Sequence, residues 1–522
     1  MFRRRVAGPP SSTLADFGRT AYVKVVPPRP GLHSVAAIAD EARLAAQALI
    51  AFAGHLVRPT VRLGVTGLSG AGKTVFITTL VHDLIHGGRF PVFEPLASGR
   101  IAGARLEPQP DDSVPRFDYE THVRALVDER RWPESTRRIS ELRLVIDYQS
   151  ARGAARNKTL TLDIVDYPGE WLVDLPLLST SFAEWSAQTL RLAREEPRRR
   201  LASAWLDHLA TLNPERPEDE QTALTAARLF TGYLRACRDE RYALRLLPPG
   251  RFLMPGDLEG SPALTFAPLD LPLGGVAPKG SLWAMMERRF ESYKSVVVRP
   301  FFNGHFVRLD RQIVLIDALA AFNAGPAALA DLEAALGAIL ACFNTGRNSI
   351  ASTLLRPRID RILFAATKAD HLHHASHDRL ERILARLAGR AIARAKFAGA
   401  SIDIVAIAAV RATREAKVER QRQTLASIVG IPVAGETAGA DTFDGDTEAA
   451  VFPGDLPEDP DTLFREDGTG FVGLTTAEAA GTDFRFLRFR PPPLEPAADG
   501  GATLPHIRMD RALQFLLGDL MP

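Results

Sequence analysis

Residues 61–80 read VRLGVTGLSGAGKTVFITTL: an apolar run, a small-residue loop, and a stretch with apolar residues at helical spacing. The loop at 67–74, GLSGAGKT, is a complete GxxxxGK[ST] pattern, and it stands in the strand–loop–helix context that gives the pattern meaning. Consecutive small residues let backbone N–H groups curl around a phosphate chain, and the helix that follows turns its positive end on the same anion. Gly70, Ala71, Gly72 and Val75 supply the loop and the first helical turn. Lys73 can reach the outer phosphates, and the Thr74 hydroxyl can ligate Mg²⁺. The plain alternative, a Gly-rich turn before a core helix, requires strand, loop and helix to coincide by accident.

Of the 64 basic residues only eight are lysine, yet Lys73 and Lys368 both fall inside the motifs used here. Arginine serves surface charge well, but its planar fork does not replace a compact ammonium between phosphates. At 522 residues the chain exceeds one ordinary core, so two or three domains are expected. A hydrophobic content of 46% with 24% charged residues describes a soluble globular protein, and a net charge of +2 gives no reason to expect nucleic acid. Cys237 and Cys342 stand too far apart to imply a disulfide framework or zinc site, which fits a reducing cytoplasm. No apolar run reaches the ~18 residues of a membrane span. The start, MFRRRVAG, lacks the apolar core of a signal peptide.

Strands are expected at 61–66, 141–149, 159–165, 311–317, 360–366 and 402–409. The second and third are separated by a short polar turn, the mark of an antiparallel hairpin, and the others lead into helical segments. The fold class that follows is α/β, a mainly parallel sheet with one antiparallel edge. Around it we expect a flexible tail at 1–33, a helix at 34–57, and a nucleotide domain split into 58–178 and 296–430. Residues 88–138 interrupt its first part with little periodicity; 179–295 form a mainly helical insertion, and 431–522 an acidic, loop-rich accessory segment with a last helix near 505–521.

The strand at 159–165 ends in IVDYPGE. Asp166 there can hold Mg²⁺ through water, and the Gly169 N–H can sense a γ-phosphate. The strand at 360–366 ends in TKAD, Thr367 to Asp370, which resembles the [NT]KxD element of the GTPase superfamily. Asp370 can accept two hydrogen bonds from guanine N1–H and N2–H₂, whereas adenine would leave a buried carboxylate unpaired. The Lys368 stem can lie along the purine face. Thr367 replaces the commoner Asn, with fewer bonds to tie the base loop to the phosphate loop. Ala409 is the candidate for a backbone N–H to guanine O6. Thr136, in WPESTRRISELRL, fits by position a switch threonine that ligates Mg²⁺, with Ser135 as runner-up.

Glu170 follows the DxxG where many small GTPases carry a water-positioning Gln. A carboxylate accepts from water but cannot donate, and it faces the γ-phosphate's charge, so Glu170 is either a weak base or turned away. Arg131, Arg137 and Arg138 flank the switch, without a basis for choosing a catalytic one. The run HLHHASH at 371–377 is expected to be a solvated surface rather than a metal site, and His82 and His86 ordinary helix residues.

GVTGLSGAGKTVFIT, WPESTRRISELRLVIDY, DIVDYPGEWLVDLPLL, RLDRQIVLIDAL, TKADH and LPHIRMDRALQFLLGDL together resemble the YcjX-like family of bacterial P-loop proteins, from about residue 60 to the C-terminus. Family members have often been labelled predicted ATPases. The resemblance implies a Ras-like GTPase core with large insertions, a cytoplasmic location and a link to bacterial stress responses. Family members are often encoded beside a membrane protein, which suggests a membrane-bound protein effector and peripheral residence at the inner membrane. The expectation is a slow GTP-hydrolysing switch, with GTP or GDP and Mg²⁺ as ligands. Its rivals are an ATPase, a nucleotide-gated binding module with negligible turnover, and a small-metabolite kinase, which neither the hairpin nor TKAD favours.

Overall fold

The computed structural model describes residues 59–136, 138–152, 157–272, 274–341, 359–397, 399–420, 423–438, 441–464, 486–494 and 503–522. The expected tail and helix at 1–33 and 34–57 lie outside these, as do Arg137 and Cys342. Seven strands are β1 (Thr60–Gly67), β2 (Ile101–Glu107), β3 (Ser140–Gln149), β4 (Asn157–Asp166), β5 (Arg311–Ile316), β6 (Arg361–Ala366) and β7 (Ser401–Ala406). They form one sheet in the order β2–β3–β4–β1–β5–β6–β7. β3 is antiparallel to both β2 and β4, and the pairs from β4 across to β7 are parallel. The register sets Val65 beside Asp166 and Ile316 beside Ala366, so the carboxyl ends of the parallel strands open on one edge. Ligands of open α/β sheets bind at that edge.

Period-two alternation divides the sheet's side chains between two cores. Leu63, Val65, Leu162, Ile164, Leu315 and Leu363 face α1 (Lys73–His86) and the closing helix α8 (Met509–Leu517), whose Leu513 and Leu516 are fully buried. Val314, Ile316, Ile362 and Phe364 face the other way, against α6 (Pro326–Ala341) and α7 (His377–Leu387). That second core runs without a break into the insertion, where Trp185 stacks on Phe290 at 5.1 Å and Trp205 on Tyr233 at 5.3 Å. The insertion's helices are α3 (Phe182–Ala193), α4 (Glu220–Arg238) and α5 (Leu282–Tyr293), with two short helices, Arg198–Leu201 and Ser203–Leu209, between the first two. Ser181 and Glu184 form a capping box at the start of α3, and Asp219 and Ser281 cap α4 and α5. A buried Arg198–Asp331 pair pins the insertion to α6. The insertion is thus packed on the sheet as part of its core.

Two stretches differ from expectation. Within 88–138 the chain forms β2 and α2 (Tyr119–Val127). β2 is an edge strand with a glycine and a register irregularity near Ile101, and most of its residues are partly or fully exposed, so it carries little hydrophobic alternation. Beyond β7, a hairpin of β8 (Arg414–Arg420) and β9 (Gln423–Gly430) pairs with β10 (Ala449–Val451). Charged residues at both ends of β8 hide its period. Among the described residues no helix is long and apolar enough to cross a membrane.

Candidate nucleotide site

At the carboxyl edge the chain leaves β1 through the phosphate loop and enters α1. Gly70 and Gly72 take φ +77° and +84°, left-handed values that a side chain would strain. Lys73 and Thr74 are buried in the first turn of α1, and no acidic residue offsets the positive helix end there. The Lys73 ammonium rests on the carbonyl oxygens of Gly67 at 2.9 Å and Leu68 at 3.4 Å. Burial lowers its pKa below the usual lysine value, opposed by the charges of Asp166 and Glu170. A cation held on carbonyls in a dry loop is ready to exchange them for phosphate oxygens.

Thr74, Thr136 and Asp166 converge beside this lysine. The Thr136 hydroxyl donates to Asp166 Oδ2 at 2.6 Å and lies 3.2 Å from the Thr74 hydroxyl. Burial pushes the Asp166 carboxyl up to about 6, against the pull of Lys73. Its Oδ1 is buried with no hydrogen-bond partner among the described residues. An orphaned carboxylate oxygen beside two hydroxyls is a donor set that suits a hard divalent cation, so these residues fit Mg²⁺. Ser135, the runner-up, also lines the pocket but is not placed on Asp166. Gly169 packs on the phosphate loop: a Cβ there would lie 2.1 Å from the Gly67 carbonyl oxygen.

The pocket, about 360 Å³, runs from Ser69–Phe76 past Trp132–Thr136 to Thr367, Lys368 and Asp370. Asp370 is buried, and its Oδ2 accepts from the Ala412 N–H at 2.9 Å, which fixes the carboxylate at the far end. Ala409 lines the same end; its N–H has no partner among the described residues, whereas that of Ala408 is taken by Ile507. The Thr367 hydroxyl donates to Ile316 O at 3.3 Å, so it ties the base loop to the tip of β5 and not to the phosphate loop.

Several lining or supporting residues escaped the sequence reading. Asp317, at the tip of β5, meets at 2.6 Å the ammonium of Lys368, whose backbone sits at φ +61°. Burial alone would raise Asp317, but Lys368 and the Ala320 amide hold it below the usual carboxylate range. Trp132, Val433, Arg488 and Phe489 complete the walls, and the Trp132 indole donates to Phe489 O at 2.6 Å. The segment carrying Thr136 is thereby tied to the C-terminal part of the chain. Arg488 bridges Glu436 and Glu240, the latter just past α4. The RFLRFR run around Phe489 holds no motif that points to a pocket.

Glu170 is buried, and Arg238, the last residue of α4, pairs with it: Nη2 lies 3.0 Å from Glu170 Oε1 and 3.1 Å from the Ser69 hydroxyl. Arg245 stands nearby, lining a small cavity with Ser69 and Asp317. Two insertion arginines therefore reach the phosphate loop. Of the arginines expected beside the switch, Arg131 pairs with Glu129 and Arg138 is exposed, while the neighbouring Arg130 bonds the Pro491 carbonyl.

The histidine run is not a solvated surface. His371, His373 and His377 are buried and His374 alone is exposed, because the run packs between the base loop and β8. His377 Nε2 donates to Ala369 O, and His374 Nδ1 lies 2.7 Å from Glu415. Ligand atoms of His373, His374 and Glu415 fall within 4.8 Å of one another. But His373 Nδ1 accepts from the Ala375 N–H, which leaves the proton of a neutral ring on Nε2, the atom facing Glu415. The cluster reads as a hydrogen-bonded clasp. His82 bonds the Tyr119 hydroxyl at 3.0 Å as an ordinary helix residue.

A protein from Escherichia coli (strain K12), described as Ras-like GTPase YcjX, is 36% identical over 473 residues, covering 88% of this chain and 95% of its own. Its counterpart of the same description from Shewanella oneidensis (strain MR-1) is 35% identical over 489 residues, covering 88% and 94%. The family model described as "YcjX-like family, DUF463" matches residues 61–521, which takes in the whole sheet, the insertion and the closing helix, and the chain belongs to that family.

Proposed function

We propose that the chain binds GTP and GDP and hydrolyses GTP slowly in a Mg²⁺-dependent way, as a nucleotide-driven switch. The observation that carries this reading is the buried Asp370 carboxylate, fixed by the Ala412 amide at the end of the pocket opposite the phosphate loop. Guanine offers that carboxylate two donors, and adenine would leave it unpaired. The relatives' description as Ras-like GTPases points the same way.

In this reading the loop amides and Lys73 hold the phosphates, while Lys368 and Ala409 orient the base. Thr74, Thr136 and Asp166 would hold Mg²⁺, which when bound would neutralise charge on the outer phosphates. Thr136 belongs to the segment tied through Trp132 to Phe489, so ordering by a γ-phosphate would be felt at the C-terminal wall. Gly169 opens the 3₁₀ run Gly169–Ser179, which leads into the insertion. Its contact with the phosphate loop couples the two. Exchange of GTP for GDP should therefore change protease sensitivity across 179–295; identical digestion patterns would count against the coupling.

Competition of labelled GTP by excess ATP, with Mg²⁺ present, tests the base assignment. GTP should win by on the order of 10²-fold or more, and Asp370→Ala should remove the preference. Equal competition by ATP would favour the ATPase alternative. The second alternative, a binding module with negligible turnover, draws on Glu170 being engaged by Arg238 and so not free to position water.

A further inference from the structure

We propose that Arg238, brought in by the insertion, is the catalytic cation for the γ-phosphate, and that Glu170 is its holder and not the base that positions water. The inference rests on the GTPase reading above.

Arg238 ends α4 at the border of the phosphate loop, with Nη2 3.1 Å from the Ser69 hydroxyl and 3.0 Å from Glu170 Oε1. Its Nη1 and Nε make no hydrogen bond among the described residues, so most of a five-donor fork is still unspent. Its side chain is 30% exposed against 9% for Glu170: the carboxylate is fixed in the protein, and the guanidinium is the partner with room to turn. That room is a cavity of about 570 Å³ which Arg238 lines together with Glu134 and Ser135, the residues just before Thr136. Arg238 thus stands between the loop that would hold the phosphates and the segment that would close over them.

Charge makes the same point. Glu170 lines the nucleotide pocket next to Ser69 and Lys73. A γ-phosphate arriving there would face a buried carboxylate of like sign, unless a cation stood between them. Arg238 is already ion-paired with that carboxylate and can present its other nitrogens to the phosphate without leaving it. In the reaction the water oxygen bonds to the γ-phosphorus as the bond to the β–γ bridging oxygen breaks. The electron pair stays on the β-phosphate of GDP; one water proton remains on the released phosphate and the other goes to solvent. Charge gathering on the phosphoryl and bridging oxygens is what a planar, permanently charged fork stabilises.

Single-turnover hydrolysis of GTP by the full chain, with Mg²⁺ and protein in excess, tests this alongside the affinity for a fluorescent GDP. Arg238→Ala should slow turnover by on the order of 10³-fold, as loss of an arginine supplied to a γ-phosphate does, while GDP affinity stays within about threefold because the assigned contact is to the departing group. Arg238→Lys, a milder change that keeps charge and fold, should be nearly as slow because an ammonium lacks the fork. The unaltered chain should capture aluminium fluoride with GDP, and both variants should fail to. Glu170→Gln should slow turnover by on the order of tenfold, far less than Arg238→Ala, because Arg238 loses the charge that holds it but stays in place. Turnover by both Arg238 variants at the unaltered rate would overturn the proposal. So would a loss in Glu170→Gln matching that in Arg238→Ala, which would make Glu170 the base. Absence of GTP turnover in the unaltered chain would instead sink the hydrolysis reading itself, and this assignment with it.

Discussion

The phosphate end of the pocket comes largely from one unbroken run, Ser69–Phe76, whereas the base end is assembled from Thr367–Asp370, Ile407–Val410, Val433 and Phe489. In the first, local geometry does the positioning: two left-handed glycines and a helix start aim amides and an ammonium at one point. In the second, groups are held by distant partners, Asp370 by Ala412 and Lys368 by Asp317. On the GTP-binding reading proposed above, the difference assigns affinity and choice to different ends. Contacts to phosphates are shared by every nucleoside triphosphate, and selectivity falls to the end that took four chain segments to build.

The largest effect expected is at the shared end. Lys73→Ala removes an ammonium whose charged hydrogen bonds are worth about 1.5–3 kcal/mol each, so affinities for GTP and ATP should both fall by about 10²–10³-fold. Their ratio should hold. A change in the ratio, read by competition binding, would break the division of labour.

Asp370→Asn sharpens the other side. The carboxamide keeps an acceptor for the ring N1–H but turns one acceptor into a donor, which suits the 2-oxo group of xanthine and not the amine of guanine. The variant should lose on the order of 10²-fold in GTP affinity and gain affinity for xanthosine triphosphate. Unchanged base preference would remove the residue from base recognition.

The same contrast explains what was legible in the sequence. Gly70, Lys73, Thr74, Asp166 and Asp370 each stand in a short pattern at the tip of an apolar strand, so the strand locates them and the chemistry names them. The six strands expected all appear, because buried strands must be apolar. β2 does not announce itself, being exposed, glycine-containing and at an edge. Arg238 was hidden among dozens of arginines at the end of a helix 168 residues from Gly70, and only the folding of the insertion onto the sheet sets it against Ser69. Asp317 looked like the last residue of a strand; that its carboxylate meets Lys368 depends on the β5–β6 register. The histidines misled for a related reason, since polarity along the run says nothing about a hairpin folding over it.

Asp317→Asn asks how far the base end relies on such supports. Lys368, two-thirds buried in a left-handed conformation, would lose the charge that anchors it. GTP affinity should drop by about tenfold, the size of a partly buried charged hydrogen bond, while hydrolysis of bound GTP should barely change. An equal loss in the rate of bound GTP would show that the two ends are not separable.

The smallest effect separates the ends by pH. His371 is the imidazole lining the pocket among the described residues, and it sits at the base end with its ring edge-on to Phe489 at 5.5 Å. Burial lowers its pKa below the ordinary value of 6.5, with the Asp370 charge opposing. A histidine held neutral in the fold adds nothing to pH dependence where the unfolded chain is neutral too. Below 6.5 the unfolded chain takes up a proton that the fold refuses, so stability falls with pH, by up to about 1.4 kcal/mol per unit until the folded value is reached. His371→Asn lacks that term, and the other buried histidines are common to both proteins and cancel in the comparison. Urea midpoints measured at pH 7.5 and 5.5 should therefore show the variant gaining on the unaltered chain as pH falls. A gap that stays constant would mean that the imidazole titrates freely, and that the base end is wetter than the packing of His371 on Phe489 allows.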